Sequence, residues 1–410
     1  MTAPKLRFKE FYGDWKITVL GKLASHISYG LTVRPEYIDE GIKLISAREI
    51  ASGEIDLISA PKISTDDFEK LSDKAKPQKN DLFLSKTGSI GFTAIVDTDE
   101  ELAITQNIAV IRLNDMEKQI PLFYLHQMRT SSFQRKAISV VNQSTIMDLQ
   151  LGDIKKIEVS YCNDKEQTKI ASFLSAVDEK ISQLTQKHRL LCEYKQGMMQ
   201  KLFSQQLRFK ADDGSDFGEW EDKLIKDIAD VKGGKRIPKG YSLVNENTGH
   251  PYITVSDMNR SYSIDDINIR YVPFEVVETI KRYTITDKDI FISVAGTLGI
   301  IGKIPAKLQG ANLTENADKL TNLKCHQDFL IYLLDSGCLS ELIENTATTS
   351  AQPKLALYAI EQLEVKIPCL EEQTKIANFL SAIDQKIEVV AEQIKQAKTW
   401  KKGLLQQMFV

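Results

Sequence analysis

The sequence predicts an α+β fold in which two pseudo-twofold-related mixed α/β bodies are separated by an antiparallel pair of long coiled-coil helices. Three observations predict it: a gapless internal repeat, a coiled-coil spacing of apolar residues in both copies of the repeat, and short β-branched runs elsewhere. The 410 residues, 42% of them hydrophobic, suffice for two ordinary cores, and the length suggests two or three domains. We divide the chain into a first body (1–160), a central helical segment (161–206), a second body (207–368) and a C-terminal helical segment (369–410).

The repeat is the strongest signal in the chain. EQTKIASFLSAVDEKI at 166–181 returns as EQTKIANFLSAIDQKI at 372–387, and extending the alignment without a gap to Phe203 and Phe409 gives 17 identities in 38 positions. Weaker similarity at nearly the same offset pairs GDW (13–15) with GEW (218–220) and DLFLSKTGSIG (81–91) with DIFISVAGTLG (289–299). The sequence is therefore two half-chains, each a variable body followed by a nearly constant tail.

Both tails have apolar residues at alternating spacings of four and three, which is typical of a coiled-coil seam. The predicted seam residues are Ile170, Leu174, Val177, Ile181 and Leu184 in the first tail and Ile376, Leu380, Ile383, Ile387 and Val390 in the second. An antiparallel pairing of the two tails would leave one body at each end. The alternative is that each tail is a long surface helix packed on its own body.

Identical residues also occur outside the seam, at positions that we expect to face outward. They are Glu166, Gln167, Lys169 and Asp178 in the first tail and Glu372, Gln373, Lys375 and Asp384 in the second. A seam constrains only inward positions, so the duplicated outer residues predict two binding sites for two copies of one partner.

The bodies have the pattern of mixed α/β domains. Runs such as LFLS (82–85), IAVIRL (108–113) and IFISV (290–294) predict strands bounded by turn residues. Amphipathic helices are predicted at matching places over 121–138 and 328–343. This irregular alternation favours α+β over a doubly wound sheet.

The sequence contains no recognisable catalytic or metal site. GTLGIIGK at 296–303 departs from Walker spacing, and the five histidines lack metal-ligand spacing. Five cysteines without C-x-x-C spacing predict a reducing, cytoplasmic location, and no apolar run is long enough to predict a membrane span. The net charge of -3 provides no global attraction to nucleic acid, so any such surface must be local. We predict a chain without catalytic residues or bound metal.

Polar loops at matching positions of the two bodies are the candidates for binding. KGGKRIPKGY (232–241) has four cations and no acid, and SYGLTVRPEY (28–37) is its counterpart. A solvated loop is the alternative for either stretch alone. In the first body the predicted DNA-contacting residues are Tyr29, Thr32, Arg34, Arg48, Lys86, Thr87, Ser89, Asn142 and Gln143. In the second they are Lys232, Lys235, Arg236, Lys239, Ser256, Asn259, Arg260, Thr297, Thr349 and Lys354.

The tail motif EQ-x-K-I-A-x-F-L-S-x-[VI]-D-x-K-I, the G-x-W openings and the F-x-S-x-x-G-x-[IL]-G turns resemble the specificity subunit of a Type I restriction-modification system over essentially the whole chain. The resemblance implies a non-catalytic reader whose two target-recognition domains, the bodies, each bind half of a split, asymmetric site in double-stranded DNA. It also implies that the helical regions form an antiparallel spacer and dock two modification (methyltransferase) subunits, which restriction (motor–nuclease) subunits join. S-adenosylmethionine, ATP and Mg would then be used by the partner subunits, and this chain would bind none of them.

Two other classes of protein stay open on the sequence. A coiled-coil scaffold or adaptor without DNA readout would also have paired helices, although it would not need two diverged bodies with matching polar loops. An enzyme with an unfamiliar active site would show activity as the purified chain.

Overall fold

The structure is a computed structural model that describes residues 3–140, 147–347 and 354–409. The chain forms two compact units: unit 1 combines 1–186 with 391–410, and unit 2 comprises 187–390. Each unit therefore contains one body and a piece of each tail. The boundaries between the units fall inside the two long helices, whereas the sequence-based division places its boundaries at the helix ends.

The first body and its tail contain nine strands and six helices within the described residues. The strands are β1 (Lys16–Val19), β2 (Ala24–Tyr29), β3 (Ile42–Ile45), β4 (Lys62–Ile63), β5 (Leu82–Ser85), β6 (Thr93–Ile95), β7 (Leu102–Ile104), β8 (Ile108–Leu113) and β9 (Glu158–Tyr161). The helices are α1 (Leu20–Leu23), α2 (Thr65–Glu69), α3 (Pro121–Met128), α4 (Ser131–Ser139), α5 (Leu151–Lys156) and α6 (Asp164–Phe203).

The second half-chain has ten strands and six α-helices in the part that the structure describes. The strands are β10 (Glu221–Leu224), β11 (Asp230–Gly233), β12 (Pro251–Ile253), β13 (Arg270–Tyr271), β14 (Thr284–Ile285), β15 (Ile290–Ser293), β16 (Ile301–Gly302), β17 (Ala311–Leu313), β18 (Ala317–Thr321) and β19 (Glu364–Ile367). The helices are α7 (Ile225–Ile228), α8 (Phe274–Ile280), α9 (Gln327–Leu333), α10 (Leu339–Ala347), α11 (Leu357–Glu361) and α12 (Leu370–Met408).

The two bodies have matching sheets. Among the described residues, unit 1 has an antiparallel sheet in the order β2-β8-β5-β6, and unit 2 has the corresponding sheet β11-β18-β15-β16. A second sheet in each unit contains a parallel pair, β3 with β7 and β12 with β17. A third, two-stranded sheet pairs β1 with β9 and β10 with β19, which ties the start of each body to its end directly before the long helix. Internal duplication is therefore visible in topology as well as in sequence.

Within unit 1, the two long helices run in opposite directions. At the start of α6, the Trp15 indole Nε1 donates to Glu166 at 3.2 Å, and the Trp15 ring lies 6.1 Å from Phe409 near the end of α12. Farther along α6, Asp178 forms an ion pair with Lys401, which precedes Phe409 by two helical turns. Positions nearer the C-terminus of α6 therefore contact positions nearer the N-terminus of α12, as expected for antiparallel helices.

Unit 2 repeats this arrangement with the helices exchanged. The Trp220 indole Nε1 donates to Glu372 at the start of α12 at 3.2 Å, and its ring lies 6.5 Å from Phe203 at the end of α6. Asp384 pairs with Lys195 at 2.7 Å.

The predicted seam residues are buried, except that Ile181 and Ile387 are half-buried. In unit 1, Ile170 and Leu174 belong to one core with Leu404 of α12 and with Phe123 of the first body. The early seam positions therefore pack on the body as well as on the other helix, and part of the alternative interpretation, that the tails pack on their own bodies, also holds.

The helix predicted over 121–138 is wrong as a single element. It is two helices, α3 and α4, which are separated at Thr130, whose side chain caps α4 by accepting from the Phe133 N–H at 3.2 Å. Its counterpart over 328–343 is interrupted by a π-helical turn at Leu334–Cys338, which contains Gly337 with a φ of 147°.

Candidate DNA interface

In unit 1, four segments meet beyond the ends of the central strands. The Leu31 N–H donates to the Ile104 carbonyl at 2.8 Å, which joins the loop after β2 to the turn after β7. The Lys86 N–H donates to the Asn107 carbonyl at 2.8 Å, and the Leu149 N–H donates to the Lys86 carbonyl at 2.7 Å. These bonds bring the turn after β5 and the segment before α5 to the same place.

Unit 2 joins the matching segments in the same way. The Lys235 N–H donates to the Leu313 carbonyl at 2.8 Å, the Val294 N–H to the Asn316 carbonyl at 2.8 Å, and the Leu355 N–H to the Val294 carbonyl at 3.0 Å. We call these four segments the loop face of each unit. The loop face is residues 29–34, 85–91, 105–107 and 147–149 in unit 1, and residues 233–241, 293–299, 314–316 and 354–355 in unit 2.

The glycine turns predicted from the sequence have the same geometry in both loop faces. Ser85 Oγ donates to the Ser89 carbonyl at 2.5 Å and accepts from the Phe92 N–H at 2.8 Å. Ser293 does the same with the Thr297 carbonyl at 2.7 Å and the Ile300 N–H at 2.8 Å. A buried serine therefore closes each turn, and the predicted contact residues Ser89 and Thr297 lie at its tip.

Lys86 and Thr87 are bound within unit 1. Lys86 Nζ lies 2.7 Å from Asp148 and 5.9 Å from the centre of the Tyr29 ring, and its side chain is only 10% exposed. Thr87 Oγ1 donates to the same carboxylate at 2.5 Å. A DNA phosphate would have to displace Asp148 to reach either side chain, so their contact with DNA stays a prediction.

The other candidates of unit 1 are more accessible. Tyr29, Thr32 and Arg34 line one groove, in which the Arg34 guanidinium lies 5.4 Å from the centre of the Tyr37 ring. The Arg48 side chain is 75% exposed and donates from Nε to Glu49 at 2.8 Å. Asn142 and Gln143 lie outside the described residues, as does Thr349 of the second body.

The cationic stretch of unit 2 is largely exposed. Lys232 Nζ lies 3.4 Å from Asp230, Lys235 Nζ lies 5.5 Å from the centre of the Tyr283 ring, and Arg236 pairs with Glu315. The side chains of Lys239, Ser256, Arg260, Thr297 and Lys354 are exposed.

Asn259 has a local structural role. Its Oδ1 accepts from the N–H groups of Ser261 and Ser263, each at 3.1 Å, and thereby holds the turn that follows Met258. Base contact by this oxygen would compete with those bonds.

Sequence reasoning missed one turn of each loop face. Thr105, Gln106 and Asn107 in unit 1 match Thr314, Glu315 and Asn316 in unit 2, between equivalent strands. The signal was present as TQN and TEN at nearly the repeat offset, but three residues are too short to stand out without strand assignments.

The glutamates predicted to bind a partner are buried, and the prediction that they face outward is wrong. Glu166 is 0% exposed and accepts from Arg7 Nε at 2.7 Å, Arg7 Nη2 at 2.8 Å and the Trp15 indole. Glu372 is bound in the same way by Arg208 and Trp220.

The same correction applies to the glutamines. Gln167 Oε1 accepts from the Ile120 N–H at 3.1 Å, and Gln373 Oε1 accepts from the His326 N–H at 2.8 Å. These identical residues bind each body to the helix that follows it. Intramolecular contacts therefore account for identity outside the seam, contrary to the assumption that they constrain the seam alone.

The remaining partner candidates are partly accessible. Lys169 is exposed beside Glu10, with the Nζ–Oε1 distance at 3.5 Å, whereas Lys375 donates to Asp212 at 2.6 Å. Asp178 and Asp384 are half-buried in the ion pairs between the helices. Partner binding by these residues stays a prediction.

The described residues contain no group of three or more His, Cys, Asp or Glu side chains arranged to hold a metal ion. No helix in the described part of the chain combines the length and apolarity needed to cross a membrane.

Comparison with known proteins agrees with the geometry. The family model described as "Type I restriction modification DNA specificity domain" matches the chain twice, over residues 37–191 and 218–399. The chain belongs to this family. It is a DNA specificity subunit, and the two matches correspond to the two half-chains.

Relatives of similar length support the assignment. A Methanocaldococcus jannaschii chain described as the type I restriction enzyme MjaX specificity subunit is 27% identical, with 98% of this chain and 94% of the relative covered. The MjaVIII specificity subunit of the same organism is 22% identical over 97% and 94%. Among solved structures, the S subunit of a Type I system from M. genitalium has a TM-score of 0.61 at 18% identity, with 100% of this chain and 99% of that chain covered. This structural likeness supports the fold of the specificity subunit.

Proposed function

We propose that each loop face reads one half of a split, asymmetric DNA site, so that this specificity subunit selects a bipartite target. The carrying observation is that the same four-segment scaffold occurs twice with different side chains. Matching scaffolds give matching placement on DNA, whereas different side chains at the tips give different base preferences. A scaffold or adaptor without DNA readout would have no use for this combination.

The exposed cations of unit 2, such as Lys239, would supply salt-dependent affinity by phosphate contact. Because the net charge is only -3, we expect the isolated chain to bind DNA weakly. Two modification subunits would complete the DNA-binding surface and carry out adenine methylation with S-adenosylmethionine, and restriction subunits would use ATP and Mg. This chain would bind none of these cofactors and have no catalytic role.

The long helices α6 and α12 would form the antiparallel spacer between the half-sites and would also dock the modification subunits. Their continuity supports this role, since α6 runs without a break from Asp164 to Phe203 and α12 from Leu370 to Met408. Inserting four residues into each helix, near its centre, should change the unread spacing between half-sites by a fixed number of base pairs. Unchanged spacing would exclude the helices as the spacer.

The deciding experiment exchanges one body at a time. Residues 16–161, from β1 to β9, are replaced by the equivalent segment of a relative, and methylation is mapped by long-read sequencing in a host that carries the chain with its modification subunit. We expect one half of the methylated sequence to change and the other to persist. The matched control, exchange of residues 221–367, should change the other half. A methylation pattern unaffected by both exchanges would contradict the proposal.

A further inference from the structure

An arginine of the unit 2 loop face is held in place by an acidic residue on a neighbouring turn. Arg236 lies in the loop after β11, and its Nε donates to Glu315 Oε1 in the turn between β17 and β18. The Arg236 side chain is 77% exposed and that of Glu315 is 26% exposed. The ion pair therefore sits at the surface with its acidic member anchored in the protein.

Glu315 is itself fixed by its surroundings. Thr314 Oγ1 donates to Glu315 Oε2 at 3.1 Å, and the hydroxyl of the buried Tyr252 lies 3.5 Å from the same oxygen. Burial alone would raise the pKa of Glu315, but hydrogen bonds from Arg236 and the backbone leave that pKa below its ordinary value. Glu315 is therefore a charged, positioned acceptor at neutral pH.

The backbone on the other side of the pair is equally constrained. The Lys235 N–H donates to the Leu313 carbonyl at 2.8 Å, and the Lys235 carbonyl accepts from the Tyr252 hydroxyl at 2.9 Å. A Cβ on Gly234 would lie 2.0 Å from the Thr314 carbonyl oxygen, so only glycine allows the two segments to approach this closely. Arg236 thus starts from a fixed main chain and is restrained again at Nε.

This arrangement leaves one edge of the guanidinium available. Within the described residues, Nη1 and Nη2 of Arg236 make no hydrogen bond, and the side chain is open to solvent. Two parallel N–H donors match the O6 and N7 acceptors of guanine in the major groove. A phosphate contact would not require the ion pair with Glu315, because a flexible cation suffices as a phosphate ligand. The Glu315 carboxylate would also repel a phosphate.

The equivalent place in unit 1 has uncharged residues. The Leu31 N–H bonds to the Ile104 carbonyl as the Lys235 N–H bonds to that of Leu313, and a Cβ on Gly30 or Gly234 would clash with the same two carbonyl oxygens. Counting from these matches, Thr32 takes the position of Arg236 and Gln106 that of Glu315. The two loop faces therefore differ in charge and donor pattern at one structurally equivalent pair.

We propose that Arg236, positioned by Glu315, is a specificity-determining residue that reads a guanine in the half-site bound by unit 2. The inference rests on the proposed function and deepens it by assigning one base to one residue. Arg236 is the contacting residue, and Glu315 is a positioning residue that acts through it.

The test measures sequence preference, position by position, for the complex of the full chain with its modification subunit. Random duplexes are selected for binding, and the half-site of unit 2 is assigned by the body exchange described above. The unit 2 half-site that the wild-type complex selects should contain a guanine. The Arg236→Lys complex should discriminate this guanine from the other bases about 5- to 150-fold less well, which is the ratio expected for the loss of one bidentate pair. Preferences at all other positions should persist.

Variants of Glu315 test the positioning role. Glu315→Ala should weaken the preference for the same guanine, whereas Glu315→Gln, which retains an oxygen acceptor for Nε, should restore most of it. The control, Lys239→Ala, removes an exposed cation from the same loop and should weaken binding to all sequences equally.

Three results would overturn the inference: a unit 2 half-site without guanine, an unchanged preference in Arg236→Lys, or an Arg236→Ala variant that weakens all sequences equally and lowers the salt dependence by about one ion, as a phosphate contact would. A wild-type complex that selects no bipartite sequence would instead contradict the proposed function itself.

Discussion

Replacing Arg7 by alanine should selectively destabilise unit 1. Glu166 is completely buried, and Arg7 supplies two of its charge-assisted bonds, at 2.7 and 2.8 Å. Without Arg7, only the Trp15 indole N–H at 3.2 Å remains from this set of donors, and the carboxylate loses its counter-charge. Removing one member of a buried pair costs about 3–5 kcal/mol, so we expect the free energy of unfolding of unit 1 to fall by about that amount.

The assay is urea unfolding followed by hydrogen exchange, because exchange of peptides from each unit reports the protection of that unit by itself. Peptides within 164–186 should lose protection in Arg7→Ala, whereas those within 370–390 should not. Arg208→Ala is the mirror control, since Arg208 holds Glu372 in unit 2. Lys169→Ala, which removes an exposed pair with Glu10, should cost less than about 1 kcal/mol. A loss below about 1 kcal/mol in Arg7→Ala would refute the reasoning.

Three further predictions concern buried groups. Burial, and to a lesser extent the charges of Arg129 and Lys401, lowers the pKa of His126 from 6.5 to about 3. Unit 1 should therefore lose about 2 kcal/mol of stability between pH 7 and pH 5, because the unfolded chain takes up a proton there and the folded chain does not. His126→Gln should remove this pH dependence in unfolding titrations. Burial raises the pKa of Asp318 from 3.8 to about 6, so the stability that the protonated carboxyl group contributes is fully present below pH 3.8 and is lost as the pH rises through 6. Asp318→Asn should therefore stabilise unit 2 by up to about 3 kcal/mol at pH 8 but not at pH 3. Gly30→Ala should cost at least about 2 kcal/mol in thermal unfolding because its Cβ would lie 1.7 Å from the Ile104 carbonyl oxygen, whereas Gly152→Ala, with nothing within 4 Å, should be neutral or stabilising.

The sequence predicted much of the architecture because the strands are marked by local apolar runs and the long helices by a periodic seam spacing. Strands such as 82–85 and 290–293 consist of three apolar residues followed by a buried serine, and the seam spacing marks buried faces directly. The break at Thr130 was missed because apolar residues recur on both sides of it, the nearest at Met128 and Phe133, although the side chain that caps the second helix is a common capping residue.

Other features depend on contacts that no local pattern reveals. Glu166 looks like a surface residue in the first turn of a helix, and its partner Arg7 is 159 positions earlier in the chain. The pair of Arg236 and Glu315 spans two loops, so the sequence suggested only a cluster of cations without an acid. The acid that pairs with this cluster lies in the turn between β17 and β18, and only the fold brings that turn beside the cations.

The composition of unit 1 constrains the order of events during synthesis. Phe409 packs against Trp15 and Phe123, and Leu404 and Met408 belong to the same core. Residues 391–409 leave the ribosome after all of unit 2, so the body that is translated first cannot close its core until the ribosome has passed residue 409. Unit 2 takes its segment of α6 from sequence made before its own body, and it can complete its core earlier. A released chain that ends at residue 390 should thus contain a finished second unit and an incomplete first one, a reversal of the usual N-terminal-first order.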